Sequence, residues 1–133
     1  MKRLRGFGFS NGFDHIINSF RNTSQSFGCQ NVGVLPVVEP ERLFSRALGV
    51  SDVVTKEMFR FTTRGGEPCV LRPEATASIV REWFETMKDE NERKLCYDGS
   101  MFRYERPQRG RMRQFHQFGL KHQLFVQSIF SNL

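Results

Sequence analysis

MFRYERPQRGRMRQFHQFGLK, residues 101–121, is the stretch whose reading decides the fold. It holds two runs of mixed aromatic and charged residues, separated by a segment with Pro107 and Gly110. Five arginines fall within eleven positions: Arg103, Arg106, Arg109, Arg111 and Arg113. β-Compatible runs on either side of a proline, a glycine and polar residues predict an antiparallel strand–loop–strand unit. Side chains alternate across a strand, which puts Arg103 and Glu105 on one face and Phe102 and Tyr104 on the other. Such a hairpin can hold a nucleotide, with guanidinium forks on the phosphates and a ring on the base. It can equally be a solvated surface hairpin whose arginines keep the protein soluble. Residue types alone do not separate the two readings.

The 133 residues suffice for one domain with a real core. Of the net charge of +6, residues 1–10 hold +3 and residues 102–121 hold +5, so the remainder is −2. A local excess of this kind points to a polyanion site and argues against a uniformly basic nucleic-acid coat. Cys29, Cys69 and Cys96 are an odd number at wide spacings, with no CxxC and no zinc-type Cys/His cluster. They are expected to be unpaired thiols in a reducing compartment, and no metal site is expected. No stretch approaches the roughly 20 apolar residues of a membrane span. The opening MKRLRGFGFSNGF is basic, has no acid before Asp14 and lacks a signal-peptide apolar core. The expected compartment is the cytoplasm, with mitochondrial import as the alternative.

Upstream of the hairpin, Ser10 or Asn11 is placed to cap a helix with Phe13, Ile16, Ile17, Phe20 and Phe27 on one side. Gly28 is its expected stop. The run Val32 to Val38 reads as a short strand, and Pro36 confines it to a sheet edge or an interface. After Pro40 a second helix is expected with Leu43, Phe44, Ala47 and Leu48 inward and Gly49 as its stop. Residues 57–62 and 68–72, joined by Arg64, Gly65, Gly66 and Glu67, predict a second hairpin. LRPEAT, residues 71–76, follows. There Pro73 biases Arg72 towards an extended backbone and opens a helix with Ile79, Val80, Trp83, Phe84 and Met87 on one face. Arg81, Glu82, Glu85 and Lys88 take the other face. Glu74 is either a favourable first-turn acid or a carboxylate held at a strand–helix junction to bind an ammonium group. Residues Asp89 to Arg93 read as a charged connection, and Lys94 to Ser100 lead into the hairpin. The order helix, strand, helix, hairpin, helix, hairpin predicts an α+β domain with a largely antiparallel sheet. After Gly119 no turn or cap signal is strong, and Leu124, Phe125, Ile129 and Phe130 form at most a short amphipathic segment.

Three blocks in this order resemble histidyl-tRNA synthetase, a class II aminoacyl-tRNA synthetase. LFSRALGVSDVVTKEMFRFTTRGGEPCVLRPEATA looks like the region around that family's LRPEGT element, and MFRYERPQRGRMRQFHQFG looks like its motif 2. The helix ending at Gly28 and the strand with Pro36 are a looser match to motif 1, which builds the family's dimer interface. RGF near the start is a weaker match still. The resemblance implies that residues 1–120 are the N-terminal part of a class II catalytic core, a mainly antiparallel sheet flanked by helices. Motif 1 would lie at about 12–40, LRPEAT at 71–76 and motif 2 at about 101–119, with 121–133 a tail that departs from the family.

The implied activity is histidine–tRNA ligation: ATP activates histidine to histidyl-adenylate, and histidine passes to tRNA(His), in a homodimer with no membrane partner. By resemblance, Arg103 grips the α-phosphate and the histidine carboxylate, Glu105 faces the adenine amino group, and Phe115 stacks on adenine. Arg111 reaches the terminal phosphates, which Mg²⁺ also bridges. Gln117 binds histidine, and Glu74, Ala75 and Thr76 surround its α-amino group. His116 is expected to be a structural hydrogen-bonder and not a catalytic base. The sequence departs from the family at several points. Ala75 stands where the family has glycine, and Lys121 stands where it has an acid that helps hold histidine. One residue is added between Gly28 and Pro36. Motif 3, the histidine-specific motifs and the anticodon-binding domain do not occur. The expectation is therefore a truncated form, inactive alone, that aggregates or dimerises through an open sheet edge. Histidine-dependent ATP–pyrophosphate exchange by the purified chain would refute inactivity. Two alternatives are a non-catalytic relative, such as an ATP phosphoribosyltransferase regulatory subunit, and a basic RNA-binding module with salt-sensitive affinity.

Overall fold

The computed structural model describes residues 11–33, 35–86, 92–106 and 108–124. Expectations that fall on residues 1–10, Val34, 87–91, Pro107 and positions 125–133 of the 121–133 tail lie outside them. The first helix, α1 (Asn11–Ser26), carries Asp14 in its first turn, where the helix dipole favours a negative charge. It ends as expected at Gly28, whose φ of 78° takes the left-handed turn that glycine adopts cheaply. Gly28 N donates to Gln25 O at 2.9 Å and Cys29 N to Ser24 O at 3.0 Å, so the last turn closes with its carbonyls satisfied. Ile17 is buried and Phe13 and Phe20 half-buried, but Ile16 and Phe27 are exposed, contrary to the single apolar side expected. Ile16 sits about 100° round the helix from Ile17, and Phe27 lies in the cap, where the chain has already turned.

The expected strand from Val32 to Val38 does not form as one piece. The chain instead makes β1 (Gln30–Asn31) and β2 (Val38–Pro40), which belong to different sheets. Pro36 has no N–H to offer a ladder, and the Leu35 and Pro36 carbonyls between the two pieces accept hydrogen bonds from the Arg72 side chain. Both pieces do lie at sheet edges. Helix α2 (Glu41–Leu48) buries Phe44 and half-buries Leu43 and Leu48, leaving Ala47 exposed against expectation, and stops at Gly49 (φ 57°). A π-helical turn at Val53–Glu57 takes up the start of the expected second hairpin. That hairpin is therefore shorter, β3 (Arg60–Thr62) with β4 (Pro68–Leu71), turning at Gly66.

Helix α3 (Thr76–Thr86) buries Ile79 and Trp83. Phe84 is exposed instead of inward, and Arg81, expected among the solvated residues, pairs with buried Glu39. The last two strands, β5 (Glu92–Phe102) and β6 (Gln114–Leu124), pair antiparallel over eleven positions. Glu92 and Arg93 are thus strand residues and not connection. The sheets run β1-β5-β6 and β2-β4-β3, and all pairings are antiparallel except β1 with β5. The architecture is α+β, as the element order predicts. One core gathers Leu35, Ala75, Ile79, Leu95, Tyr97 and Met101, and a second gathers Phe44, Met58, Val70 and Ala77. The three cysteines are free and buried. Among the described residues no helix is long and apolar enough to cross a membrane.

Candidate functional site

Alternation along β5 and β6 sorts their side chains into two faces. The rear face carries Cys96, Asp98, His116 and Phe118, and α1 covers it. Arg21 donates to Asp98 through Nε and Nη2 at 2.7 and 2.9 Å, Phe20 packs on Phe118 and Phe13 meets the His116 ring edge-on. His116 Nε2 lies 3.3 Å from Asp98 Oδ1. This histidine therefore tethers the strand from behind and does not share a face with Phe115 and Gln117.

The front face presents Leu95, Tyr97, Gly99 and Met101 beside Lys121, Gly119, Gln117 and Phe115, in that order of pairing. LRPEAT is laid across it by a series of hydrogen bonds. Phe102 N donates to Arg72 O at 3.0 Å, and Arg72 Nε returns to Ser100 O at 2.9 Å. Arg103 Nε donates to Pro73 O at 3.0 Å, and Ala75 N donates to Gln117 Oε1 at 3.2 Å. A β-carbon at position 99 would sit 2.9 Å from an Arg72 guanidinium nitrogen, so the absence of a side chain there admits the arginine. Burial lowers the Arg72 pKa from its ordinary value, an effect opposed by the charge of Glu39.

The buried Glu74 carboxylate accepts from Thr76 N at 2.6 Å and from Ala77 N at 2.8 Å, so it caps the N-terminus of α3. A carboxylate oxygen takes more than one donor, so the cap leaves capacity for an ammonium group. Glu74 thus stands just ahead of the first turn of α3, which begins at Thr76, and acts there as a capping acceptor. Tyr97 is buried beside it. Burial first, and then the charge of Glu74, push its phenol pKa up, with the Thr76 hydroxyl acting in the opposite sense.

At the loop end, the Arg103 guanidinium lies 5.2 Å from the Phe115 ring centroid. Its Nε donates to Pro73 O, and a guanidinium's Nη groups are donors suited to an anion. Glu105 and Arg111, expected at opposite ends of a nucleotide, stand close together, with Arg111 Nε 3.8 Å from the Glu105 carboxylate. Arg113 stacks on Tyr104 at 4.0 Å and donates through Nε to Glu105 O at 3.2 Å. Gly110 (φ 81°) turns the loop, and Arg106 and Arg109 are exposed. Lys121 lies on the front face opposite Leu95 and is half-buried. Among the described residues no cluster of His, Cys, Asp or Glu could hold a metal ion.

The structure therefore brings Glu74, Ala75, Thr76, Arg103, Phe115 and Gln117 onto one surface, with Glu105 and Arg111 at its rim. The arrangement is a wall. A cavity of about 310 Å³ between α3 and β1 is lined by neither Arg103 nor Gln117. A groove of about 950 Å³ between α2 and α3 touches the wall only at Glu74 and Thr76. Sequence reasoning missed Tyr97, Gly99 and the internal role of Arg72. The available signal was the alternation Leu95, Tyr97, Gly99, Met101, which shares the face of Phe115 and Gln117 once the register is known.

The family model described as "Histidyl-tRNA synthetase" matches residues 10–121. A histidine–tRNA ligase of Hydrogenovibrio crunogenus is 44% identical over 114 residues, covering 84% of this chain and 26% of that protein. One from Gluconobacter oxydans is 48% identical over 107 residues, covering 79% and 26%. The chain thus spans about a quarter of the length of the curated relatives it matches. Apo histidyl-tRNA synthetase from S. aureus is similar in structure, with a TM-score of 0.66 and 26% identity over 90% of this chain and 28% of that one. A Bacillus halodurans protein described as an ATP phosphoribosyltransferase regulatory subunit/histidyl-tRNA synthetase shares the fold, with a TM-score of 0.68 and 22% identity over 80% of this chain and 27% of that one.

Proposed function

The chain belongs to the histidyl-tRNA synthetase family, and we propose that its front face is the wall on which histidine and ATP meet for histidyl-adenylate formation. In that reaction the histidine carboxylate attacks the α-phosphorus, the bond to the β-phosphate oxygen breaks, and pyrophosphate leaves. Negative charge builds on the α-phosphoryl oxygens, and a positioned guanidinium stabilises it more than it stabilises the ground state. Arg103 takes this role and also holds the attacking carboxylate. Phe115 stacks on adenine, and Glu105 accepts from the adenine amino group. Arg111 releases Glu105 to meet the terminal phosphates, whose Mg²⁺ arrives with the nucleotide. Glu74 and Thr76 receive the histidine ammonium, the Ala75 backbone passes beside it, and Gln117 orients the substrate.

The observation that carries this reading is the stitching of LRPEAT to the hairpin, with Arg103 on Pro73 O and Gln117 on Ala75 N. It sets the ammonium-competent carboxylate and the phosphate-competent guanidinium on one surface. By the same reading tRNA(His) is the acceptor, a second copy packs through the α1 and β1 side, and the site of action is the cytoplasm.

Calorimetric titration of the purified chain with ATP·Mg²⁺ and with histidine tests the proposal. Both should bind, and Arg103→Ala should weaken ATP by about tenfold or more, the usual worth of a charge-assisted pair. Histidine binding with indifference to ATP would overturn the catalytic reading in favour of a regulatory relative. Salt-sensitive RNA binding with neither small ligand would overturn it in favour of an RNA module.

A further inference from the structure

The β5–β6 ladder closes at Phe102 and Gln114, and one further backbone bond, from Arg103 N to Arg113 O at 2.9 Å, continues it into the loop. Beyond that bond no backbone partner reaches Glu105 among the described residues. Its carbonyl is taken by a side chain: Arg113 Nε donates to Glu105 O at 3.2 Å. The same guanidinium lies over the Tyr104 ring, 4.0 Å from the centroid. That ring is itself anchored. Tyr104 N donates to Glu57 O at 2.6 Å, and Phe59 packs edge-on against the ring at 5.2 Å. Arg113 therefore meets three successive residues of the opposite arm: Arg103 through its carbonyl, Tyr104 through its cation and Glu105 through Nε. A bond to a residue's own carbonyl restrains its ψ, and the backbone sets the direction of its Cα–Cβ bond. Arg113 is thus a side-chain rung placed where the ladder ends. The Glu105 carboxylate has Arg111 Nε at 3.8 Å, too long for a hydrogen bond, so that pair does not by itself hold it.

We propose that Arg113 is a positioning residue for base selection: bonded to Glu105 O and stacked on Tyr104, it aims the Glu105 carboxylate at the amino group of a purine. The inference rests on the reading of Glu105 as the acceptor for adenine and goes beyond it by assigning what aims that acceptor. Adenine carries an amino donor at the ring position where guanine carries a carbonyl oxygen. A carboxylate held in place accepts from the first and repels the second. One that is free to swing away forfeits the bond and escapes the repulsion. The ratio of the two affinities therefore measures how firmly Glu105 is held.

The test titrates the purified chain with ATP, GTP and inorganic tripolyphosphate, each with Mg²⁺. The wild-type chain should prefer ATP to GTP by about tenfold or more, the usual worth of a charge-assisted bond, and Arg113→Met should remove most of that preference. Loss of a positive charge weakens all three polyphosphates alike, so it cancels in the ATP/GTP ratio, and tripolyphosphate, which has no base, reads it alone. Arg113→Lys keeps a cation over the ring without the planar fork and should recover part of the ratio. In a Glu105→Gln background the ratio is already lost, and adding Arg113→Met should change it no further. A wild-type ratio in Arg113→Met, or an equal drop with and without Glu105→Gln, overturns the positioning role. A wild-type chain that binds ATP and GTP equally overturns the reading of Glu105 itself, so the two failures are distinct. Should Arg113→Met not fold, Arg113→Lys decides alone: a ratio below wild type supports the role, and an unchanged one overturns it.

Discussion

Arg72 is a cation taken almost wholly out of water, at 5% exposure, with main-chain carbonyls as its hydrogen-bond partners. It donates to Leu35 O, to Pro36 O at 3.1 Å and to Ser100 O at 2.9 Å. It therefore ties the irregular segment between β1 and β2 to the end of β5. A guanidinium does not escape burial by losing its proton, so its hydrogen bonds must offset the desolvation. Arg72→Leu strips three carbonyls of their donor and should cost about 3 kcal/mol or more, charged hydrogen bonds being worth about 1.5–3 kcal/mol each. Urea unfolding followed by circular dichroism would show a midpoint shift of that size. An unchanged midpoint would mean that the carbonyls find water at no cost. Arg72→Lys should recover only part, because one ammonium cannot reproduce the planar fork.

Elements are fixed to one another here by charge as much as by apolar packing. Glu39 of β2 is 1% exposed and pairs with Arg81 of α3 through two hydrogen bonds, the Nη2–Oε1 one being 3.0 Å. Hydrogen bonding to Glu39 raises the Arg81 pKa, against the lowering effect of its own partial burial. Removing one partner leaves a buried charge alone, whereas removing both leaves an apolar contact. Arg81→Leu should therefore cost about 3–5 kcal/mol, and adding Glu39→Leu should restore most of it. A double-mutant cycle in urea measures this directly. A double variant no more stable than Arg81→Leu would show that the pair is not what joins β2 to α3. The Arg21–Asp98–His116 chain does comparable work behind the sheet, tying α1 to the strand that carries Phe115 and Gln117.

At the scale of the whole molecule, the buried ionisable groups with raised pKa values set an alkaline limit. Burial and then the charge of Cys29 push Cys96 up from its usual value of 9.0, and burial and Glu74 push Tyr97 up from 10.0. A raised pKa in the folded state means that the unfolded chain releases these protons first. Their contribution is fully present below the unfolded-state values and is lost as pH rises through the folded ones. Stability should hold to about pH 9 and fall beyond it, and Cys96→Ala should flatten the first part of that fall. Urea midpoints taken from neutrality to about pH 10.5 check this, given the usual thiol and phenol values. A midpoint constant across that range in the wild-type chain would contradict it.

The sequence by itself determined the elements and the family resemblance. Alternating runs around Pro107 and Gly110, the helix stops at Gly28 and Gly49, and the hairpin at Gly66 are written in neighbouring residues. The backbone answers to those residues directly, through φ limits and side-chain periodicity. Blocks such as FRYERPQ and LRPEAT are equally local, which made the resemblance visible before any contact was known. Local signals could not predict that the strand expected at residues 32–38 gives way to β1 and β2 on its flanks, in different sheets, because Arg72, which holds the segment between them, lies far along the chain. The same limit hid the outward turn of Phe84 and the recruitment of Arg81 to Glu39. Tertiary structure alone decided that LRPEAT lies on the hairpin's front face, that His116 looks backward, and that Tyr97 fills the space above Gly119. The reason is register: which residues meet across β5 and β6 depends on pairing between distant segments, and a one-residue slip would turn every one of those side chains to the other face.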